Sequence, residues 1–329
     1  MIGGLLVLGA MAVWWPRVAS AAAAGDDRTT SAEAQAAREV ARAAAETPIV
    51  VAIDPGHGGT NLGAVGALPG IYEKNVTLAL ARRVSQLLEA PRPLAALQPA
   101  TGHGAAATAP AAPTPPSATE TAQPIAVVLC RADDGLVPIR SRARCARDSG
   151  ARLFLSLHAN AVPAGVPRGA QHGFDVFVLG PREIEDDATL ASLAEPRDAD
   201  AAWAAHEVRA AAERSLALAR ITSDELSRVL GAAENRGIRQ SGAALDVLRG
   251  AGTAAVLVEV GFLDHAADCA RLATPDGREP LANALATTVR HFVELEPAVA
   301  SDSARGALAG RPKHRQARVA VVPQPAIPN

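Results

Sequence analysis

Four side chains capable of metal or proton chemistry stand where apolar runs end. His57 lies in the glycine-rich turn of VVAIDPGHGGTNLGAVG, Glu73 opens EKNVTLALARRV, His158 closes LFLSLH, and Glu259 interrupts AVLVEVGF. Two imidazoles and one carboxylate form the donor set of a zinc site that keeps a fourth position open, the pattern of catalytic zinc. A second carboxylate beside such an ion supplies a general base toward water. Taken singly, each residue has a plainer explanation. A histidine among glycines is more often a turn or hydrogen-bonding residue, and Glu73 reads as a first-turn carboxylate set against a helix dipole. Glu259 is the hardest to dismiss, because burying a carboxylate unpaired is costly. Strand alternation groups it with Leu257 and Gly261, opposite Val258 and Val260. A cleft or a metal site relieves that cost; a salt bridge to Arg236 or Arg239 is the competing explanation.

These residues need elements to hold them. The run PIVVAID is short, β-branched and closed by Pro-Gly, which predicts a buried strand leading to His57. Residues 73–90 place Val76, Leu80, Val84 and Leu87 at helical spacing, and Pro91 stops the helix. Strands are predicted at 125–130, 153–157, 174–179 and 254–260, and helices at 137–150 (ended by Gly150), about 183–234, and 280–295. Strands alternating with helices predict one α/β domain with a largely parallel sheet. Active sites of such sheets gather at the carboxyl ends of the strands, where His57, His158 and Glu259 fall.

The first residues, MIGGLLVLGAMAVWWPRVASAAAAG, combine a short apolar stretch with small residues around Ala19, Ser20 and Ala21. That pattern predicts a secretory signal over 1–25, with an uncleaved membrane anchor as the alternative. In either case the body is exported, to the periplasm or cell envelope. A polar, alanine-rich linker follows over 26–46. Residues 91–124 are Pro/Ala/Thr-rich and read as a disordered insertion that includes His103; 297–329 read as a disordered tail. A net charge of −2 on 329 residues offers no electrostatic case for a nucleic-acid partner. The odd cysteine count, Cys130, Cys145 and Cys269, argues against a disulfide framework. Cys130 reads as a small buried residue, with a single bridge left open in an oxidising compartment.

The segments IDPGHGGTNLGAVG, EKNVTLALARRV, LFLSLHANA and VLVEVGFLDH, in that order, resemble the zinc-dependent N-acetylmuramoyl-L-alanine amidases of the bacterial envelope. The resemblance covers the body, 47–296. It implies a three-layer α/β sandwich with a twisted, mostly parallel sheet and helices on both faces. It also implies one zinc ion per chain on His57, Glu73 and His158, with Glu259 as catalytic glutamate. The implied reaction is hydrolysis of the amide between N-acetylmuramic acid and L-alanine in peptidoglycan, for wall remodelling or daughter-cell separation. Asp54 and Asn160 are candidate orienting residues by proximity. Where many relatives read Arg-Thr-Asp, this chain has CRADD, so Arg131 and Asp133 or Asp134 match only roughly. Residues 181–216 resemble in position an insertion that blocks the zinc of cell-separation relatives until a protein activator displaces it. Glu183, Glu185 and Glu195 are the candidate blocking carboxylates, against a solvated acidic helix.

His206, His265, His291 and His314 read as surface residues, and His172 as a residue that could face the cleft. The chain is expected to be a monomer. Two other functions stand beside the amidase: a non-catalytic peptidoglycan-binding or regulatory module on the same fold, and an envelope zinc hydrolase of another amide. Loss of a ligand or of the glutamate would favour the first of these, and all four residues are present.

Overall fold

The computed structural model describes residues 47–90, 123–195, 197–241 and 245–296, together with Gln35 and Glu39, both helical. The expected signal, most of the linker, the 91–122 part of the insertion with His103, and the 297–329 tail with His314 lie outside the described residues.

Six strands form one sheet: β1 (Ile49–Pro55), β2 (Ile125–Leu129), β3 (Leu153–Asn160), β4 (Phe174–Leu179), β5 (Asn235–Ser241) and β6 (Ala254–Phe262), in the spatial order β2-β1-β3-β6-β4-β5. All neighbours pair in parallel except β4 with β6. The central strands β1, β3 and β6 are buried along nearly their whole length, as strands covered on both faces must be. This is the α/β sandwich, with its mostly parallel sheet, that the sequence predicts.

One face packs against α1 (Glu73–Glu89), α4 (Asp198–Leu230) and α6 (Pro275–Leu295). Leu80 and Val84 of α1, Leu218 and Leu226 of α4, and Leu285 and Phe292 of α6 join Ile53, Leu155 and Val258 in a single apolar cluster. Each such side chain contributes about 1.5–3 kcal/mol of burial. The other face is thinner. There α2 (Ile139–Asp148) and the segment 245–251 cover Phe154, Ala255 and Leu257 through Ala143, Ala146, Val247 and Leu248.

Several elements depart from the sequence reading. The last helix begins at Pro275, five residues before the expected 280, because Thr274 caps it by accepting from the Gly277 N–H at 3.1 Å. Pro280 lies inside that helix. Strand β5 falls just after the region read as one long helix, where no strand is predicted. Its sequence, NRGIRQS, is polar, broken by Gly237, and paired on one side only, so no alternation marks it. A short helix, α5 (Ala266–Ala273), was also not anticipated. Of the two readings of Cys130, a small buried residue or one half of a single bridge, the second holds: it is bonded to Cys145, which ties the end of β2 to α2, and Cys269 is free and buried.

The region 181–216 forms α3 (Pro181–Leu193) packed on the first half of α4. Because β4 runs antiparallel to β6, the carboxyl end of β4 lies beside the amino end of β6, so α3 starts at the end of the sheet remote from His57, His158 and Glu259. Along β6 alone, from Ala254 to Glu259, the two ends are separated by roughly 17 Å. A cavity of about 450 Å³ opens at that far end, lined by Ile184, Leu190 and Ala191 with Gly250 and Thr253. It is apolar and distant from the chemistry. Glu185 is engaged there by Arg209 at 2.6 Å, and Asp187 by Arg249 at 2.7 Å. Glu183, Glu185 and Glu195 therefore do not come to the histidines as blocking carboxylates; the antiparallel strand has carried their helix to the opposite edge.

Candidate metal centre

β1 runs out at Pro55, and the chain reverses through Gly56 and His57. Among the described residues His57 is the one non-glycine residue with a left-handed backbone, φ 63°. Such a conformation costs about 1 kcal/mol for a side chain of this kind, so the surroundings must hold it. Two buried arginines do so. Arg142 donates to the carbonyls of Pro55 at 2.7 Å and His57 at 2.5 Å, and to Asp54 Oδ1 at 2.6 Å. Asp54 is fully buried, and its other oxygen accepts from Ser156 Oγ at 2.9 Å. Arg131 donates to the carbonyls of Pro55 (3.0 Å), Gly56 (2.9 Å) and Lys74 (2.9 Å). Lys74 in turn bridges Gly59 O at 2.8 Å and Asp134 Oδ2 at 2.7 Å.

The turn carries His57 onto Glu73, the first residue of α1. His57 Nε2 lies 3.0 Å from Glu73 Oε2, and His158 Nδ1 lies 2.9 Å from Glu73 Oε1. The two rings are edge-to-face with centroids 5.1 Å apart. Ligating atoms of His57, Glu73 and His158 all fall within 4.8 Å of one another, and among the described residues no other His, Cys, Asp or Glu group does so. The far nitrogen of His57, Nδ1, sits 2.9 Å from Asn61 Oδ1, the outer contact that fixes a ring's tautomer and leaves the inner nitrogen able to accept a cation. Glu73 also accepts the backbone N–H groups of Ala64 (2.8 Å) and Ala159 (3.0 Å).

Glycines make the approach close enough. A Cβ on Gly56 would stand 2.4 Å from His158 Cε1, and one on Gly63 would stand 2.5 Å from Glu73 Oε2. Burial pushes the Glu73 carboxyl upward, but hydrogen bonds and charge from His158 and His57 outweigh it and hold the group far below the ordinary carboxylate range. For His57 burial acts downward, and the Glu73 carboxylate, helped by Asn61, turns the balance upward. Both shifts record a compact anion between two imidazoles, a charge arrangement that a divalent cation would complete. Two imidazole nitrogens and a carboxylate are borderline ligands suited to zinc and similar transition ions, so the residues fit the metal that the motif implies.

Glu259 faces this cluster from β6. Its register partner on β3 is His158, and on β4 it is Asp175. The residue keeps some exposed surface, but Oε2 is buried and has no hydrogen-bond partner. Burial, then the charges of Glu73 and Asp175, push its carboxyl well above the ordinary range. Arg236 and Arg239, the alternative partners weighed from sequence, are both bonded to Asp175 instead, at 3.0 and 2.5 Å.

The sequence pattern of the N-acetylmuramoyl-L-alanine amidase family (Amidase_3) matches residues 51–97 and 119–291, most of the chain. The chain belongs to this family. This amidase-family chain is 31% identical over 140 residues to the probable N-acetylmuramoyl-L-alanine amidase AmiB of Haemophilus influenzae, a match covering 43% of the chain and 24% of that protein. It is 26% identical over 230 residues to the N-acetylmuramoyl-L-alanine amidase LytC of Bacillus subtilis, covering 69% of the chain and 32% of that protein. The chain thus spans only 24% and 32% of the length of these relatives. Its fold superimposes on the N-acetylmuramoyl-L-alanine amidase AmiC2 of Nostoc punctiforme with a TM-score of 0.50, at 24% identity, over 75% of this chain and 97% of that one.

Asp54 acts on the site through Arg142 and the His57 carbonyl, whereas Asn160 uses its side chain to accept from Ala161 N–H. Arg131 holds the turn, Asp134 anchors Lys74, and Asp133 caps the backbone of Gly135. His172 pairs with Glu234 and stacks on His265; His206 lies against Trp203, and His291 beside Glu225. Arg142 was missed. It sits in a helix whose other arginines are solvated, and nothing local distinguishes it from them.

Proposed function

We propose that this chain is a zinc-dependent N-acetylmuramoyl-L-alanine amidase that cuts the amide between the lactyl group of N-acetylmuramic acid and the first L-alanine of the peptidoglycan stem. The observation that carries the proposal is the convergence of His57, Glu73 and His158 within 4.8 Å, beside a carboxylate, Glu259, whose inner oxygen is buried without a partner. Family membership supports the same reaction and substrate.

In this reading His57, Glu73 and His158 hold one zinc ion. Bound there, zinc supplies Lewis-acid polarisation of the scissile carbonyl and a water nucleophile usable near neutrality. Glu259 does the proton work. Its Oε2 accepts a proton from the attacking water and returns it to the departing alanine nitrogen, and a carboxyl held above its ordinary range by burial and by the charges of Glu73 and Asp175 is suited to both transfers. Arg142 and Arg131 act on none of the reacting atoms; they keep the His57 turn in place. The chain is exported, and the Cys130–Cys145 bond supports an oxidising compartment such as the periplasm or outer envelope.

The test is release of stem peptides from purified sacculi, with zinc content measured alongside. Zinc-dependent release that exposes a free L-alanine amine, and disappears in Glu259→Ala without loss of bound zinc, is the expected result. A protein that binds no zinc and releases nothing would return the chain to the non-catalytic, wall-binding reading.

A further inference from the structure

Arg236 and Arg239 remain without a role in hydrolysis, yet their guanidinium groups reach the row of the cluster, Arg239 from a backbone position opposite Phe177. Reading across the sheet, His158 on β3 opposes Glu259 on β6, and Glu259 opposes Asp175 on β4. From the edge strand β5 the two arginines close on Asp175. Asp175 is buried, at 2% exposure, and pins both guanidinium groups. Arg236 also donates to Gln171 Oε1 at 2.9 Å and lies 4.8 Å over the Phe262 ring, so it is held on every side. Arg239 gives Nε to Asp175 and Nη2 to the Arg236 carbonyl at 3.3 Å. Its Nη1 has no partner among the described residues, and its side chain is 46% exposed.

Two guanidinium cations share a single carboxylate, and Glu234 on the same rim is engaged by His172. One positive charge is therefore left over, on a half-exposed fork whose Nε and Nη2 are held and whose Nη1 has no partner among the described residues. Neighbouring strands lie about 4.8 Å apart, so the fork stands roughly 5–10 Å beyond Glu259 along the sheet.

We infer that Arg239, braced by Arg236 and Asp175, binds a free carboxylate of the stem peptide one residue beyond the alanine whose amide is cut. The inference rests on the amidase reading and adds the feature of the substrate that it selects. The second stem residue is a glutamate linked through its side chain, so its α-carboxyl is either a free acid or a carboxamide. That group lies about 7 Å along the chain from the scissile nitrogen, which matches the span from Glu259 to the fork. A guanidinium takes a carboxylate through two parallel charge-assisted bonds, and a carboxamide cannot accept both.

The experiment compares two stem tripeptides, identical except for acid or carboxamide at that α-carboxyl, bound to the zinc-loaded full chain and followed by calorimetry. Cleavage of the matching muropeptides is measured in parallel. The wild type is expected to bind the acid about ten- to a hundredfold more tightly. Arg239→Ala should erase the difference by lowering the acid's affinity to that of the carboxamide, and Arg239→Lys should restore part of it. Equal affinity of the wild type for acid and carboxamide would overturn the inference, and so would an Arg239→Ala protein that still prefers the acid. The wild-type comparison does not depend on any variant folding. A preference for the acid with no cleavage of either muropeptide would support the carboxylate site and remove the amidase reading alone.

Discussion

Gly56→Ala isolates the steric requirement of the candidate metal centre from every other property of the turn. Gly56 does not have a left-handed φ, so alanine meets no backbone penalty there. Its added Cβ would lie 2.4 Å from Cε1, 2.6 Å from Nδ1 and 2.7 Å from Nε2 of His158. Ordinary contact begins at 3.4 Å, so the ring must retreat by 3.4 − 2.4, or about 1 Å. It cannot do so freely, because Nδ1 is held 2.9 Å from Glu73 Oε1 and β3 is paired on both sides. Overpacking of this kind costs about 1–3 kcal/mol of stability. The effect on the metal should be larger in proportion, because ligand distances tolerate only about 0.2 Å and even disturbed outer contacts weaken metal binding about 10–100-fold. Zinc affinity measured by chelator competition should therefore fall at least about 100-fold, with a melting curve that remains cooperative. Gly150→Ala serves as control: φ is 66° with nothing within 4 Å, so it should cost about 1 kcal/mol and leave zinc binding unchanged. A Gly56→Ala protein that binds zinc within threefold of wild type would refute the claim that this glycine sets the distance between the turn and His158.

Arg142→Met leaves Asp54 buried with Ser156 as its remaining side-chain partner, which should cost about 3–5 kcal/mol in urea unfolding; a cost below about 1 kcal/mol would mean the clamp is dispensable. In the metal-free protein the raised carboxyl of Glu259 means that the folded state binds the proton more tightly than the unfolded chain. Stability attributable to this group is therefore greatest below the unfolded value near 4.5 and declines as pH rises toward the folded value. Metal-free Glu259→Gln should escape that decline and exceed the wild type in melting temperature at neutral pH, and parallel pH profiles for the two proteins would contradict the assignment. The Cys130–Cys145 bond closes a separation of 15 residues, so its reduction should remove about 3 kcal/mol, read as a drop in melting temperature with reductant that Cys145→Ser reproduces.

The parts of the fold that could be read from sequence are those governed by local pattern. β1, β3 and β6 announce themselves because a strand buried on both faces must be a continuous apolar run, and α1 because Val76, Leu80 and Val84 recur at helical spacing. β5 could not be found this way. An edge strand satisfies one side of its backbone through β4 and needs few apolar residues, so NRGIRQS carries no period of two. The direction of β4 was equally invisible. Nothing in FDVFVL indicates that it runs antiparallel to β6, yet that one fact moves α3 and its glutamates to the far end of the sheet. The Cys130–Cys145 pairing belongs to the same class, because it depends on where α2 lies relative to β2.

At the candidate site the same division holds between the residues that converge and those that hold them. His57, Glu73, His158 and Glu259 could be picked out because each breaks the expectation of its own segment: a ring in a glycine turn, a carboxylate in an apolar run. Their supports break no such expectation. Arg142 lies in a short helix rich in arginine, and only the tertiary fold selects it to bridge Asp54 and the His57 carbonyl. The left-handed φ of His57 then follows as a consequence. A histidine placed there in isolation would relax into an ordinary turn, and the ring would swing away from Glu73. It stays because Arg142 and Arg131 between them take up the carbonyls of Pro55, Gly56 and His57, leaving the turn no other set of partners for those groups. The two buried cations work through backbone geometry, and the position of the candidate ligand depends on them as much as on its own identity.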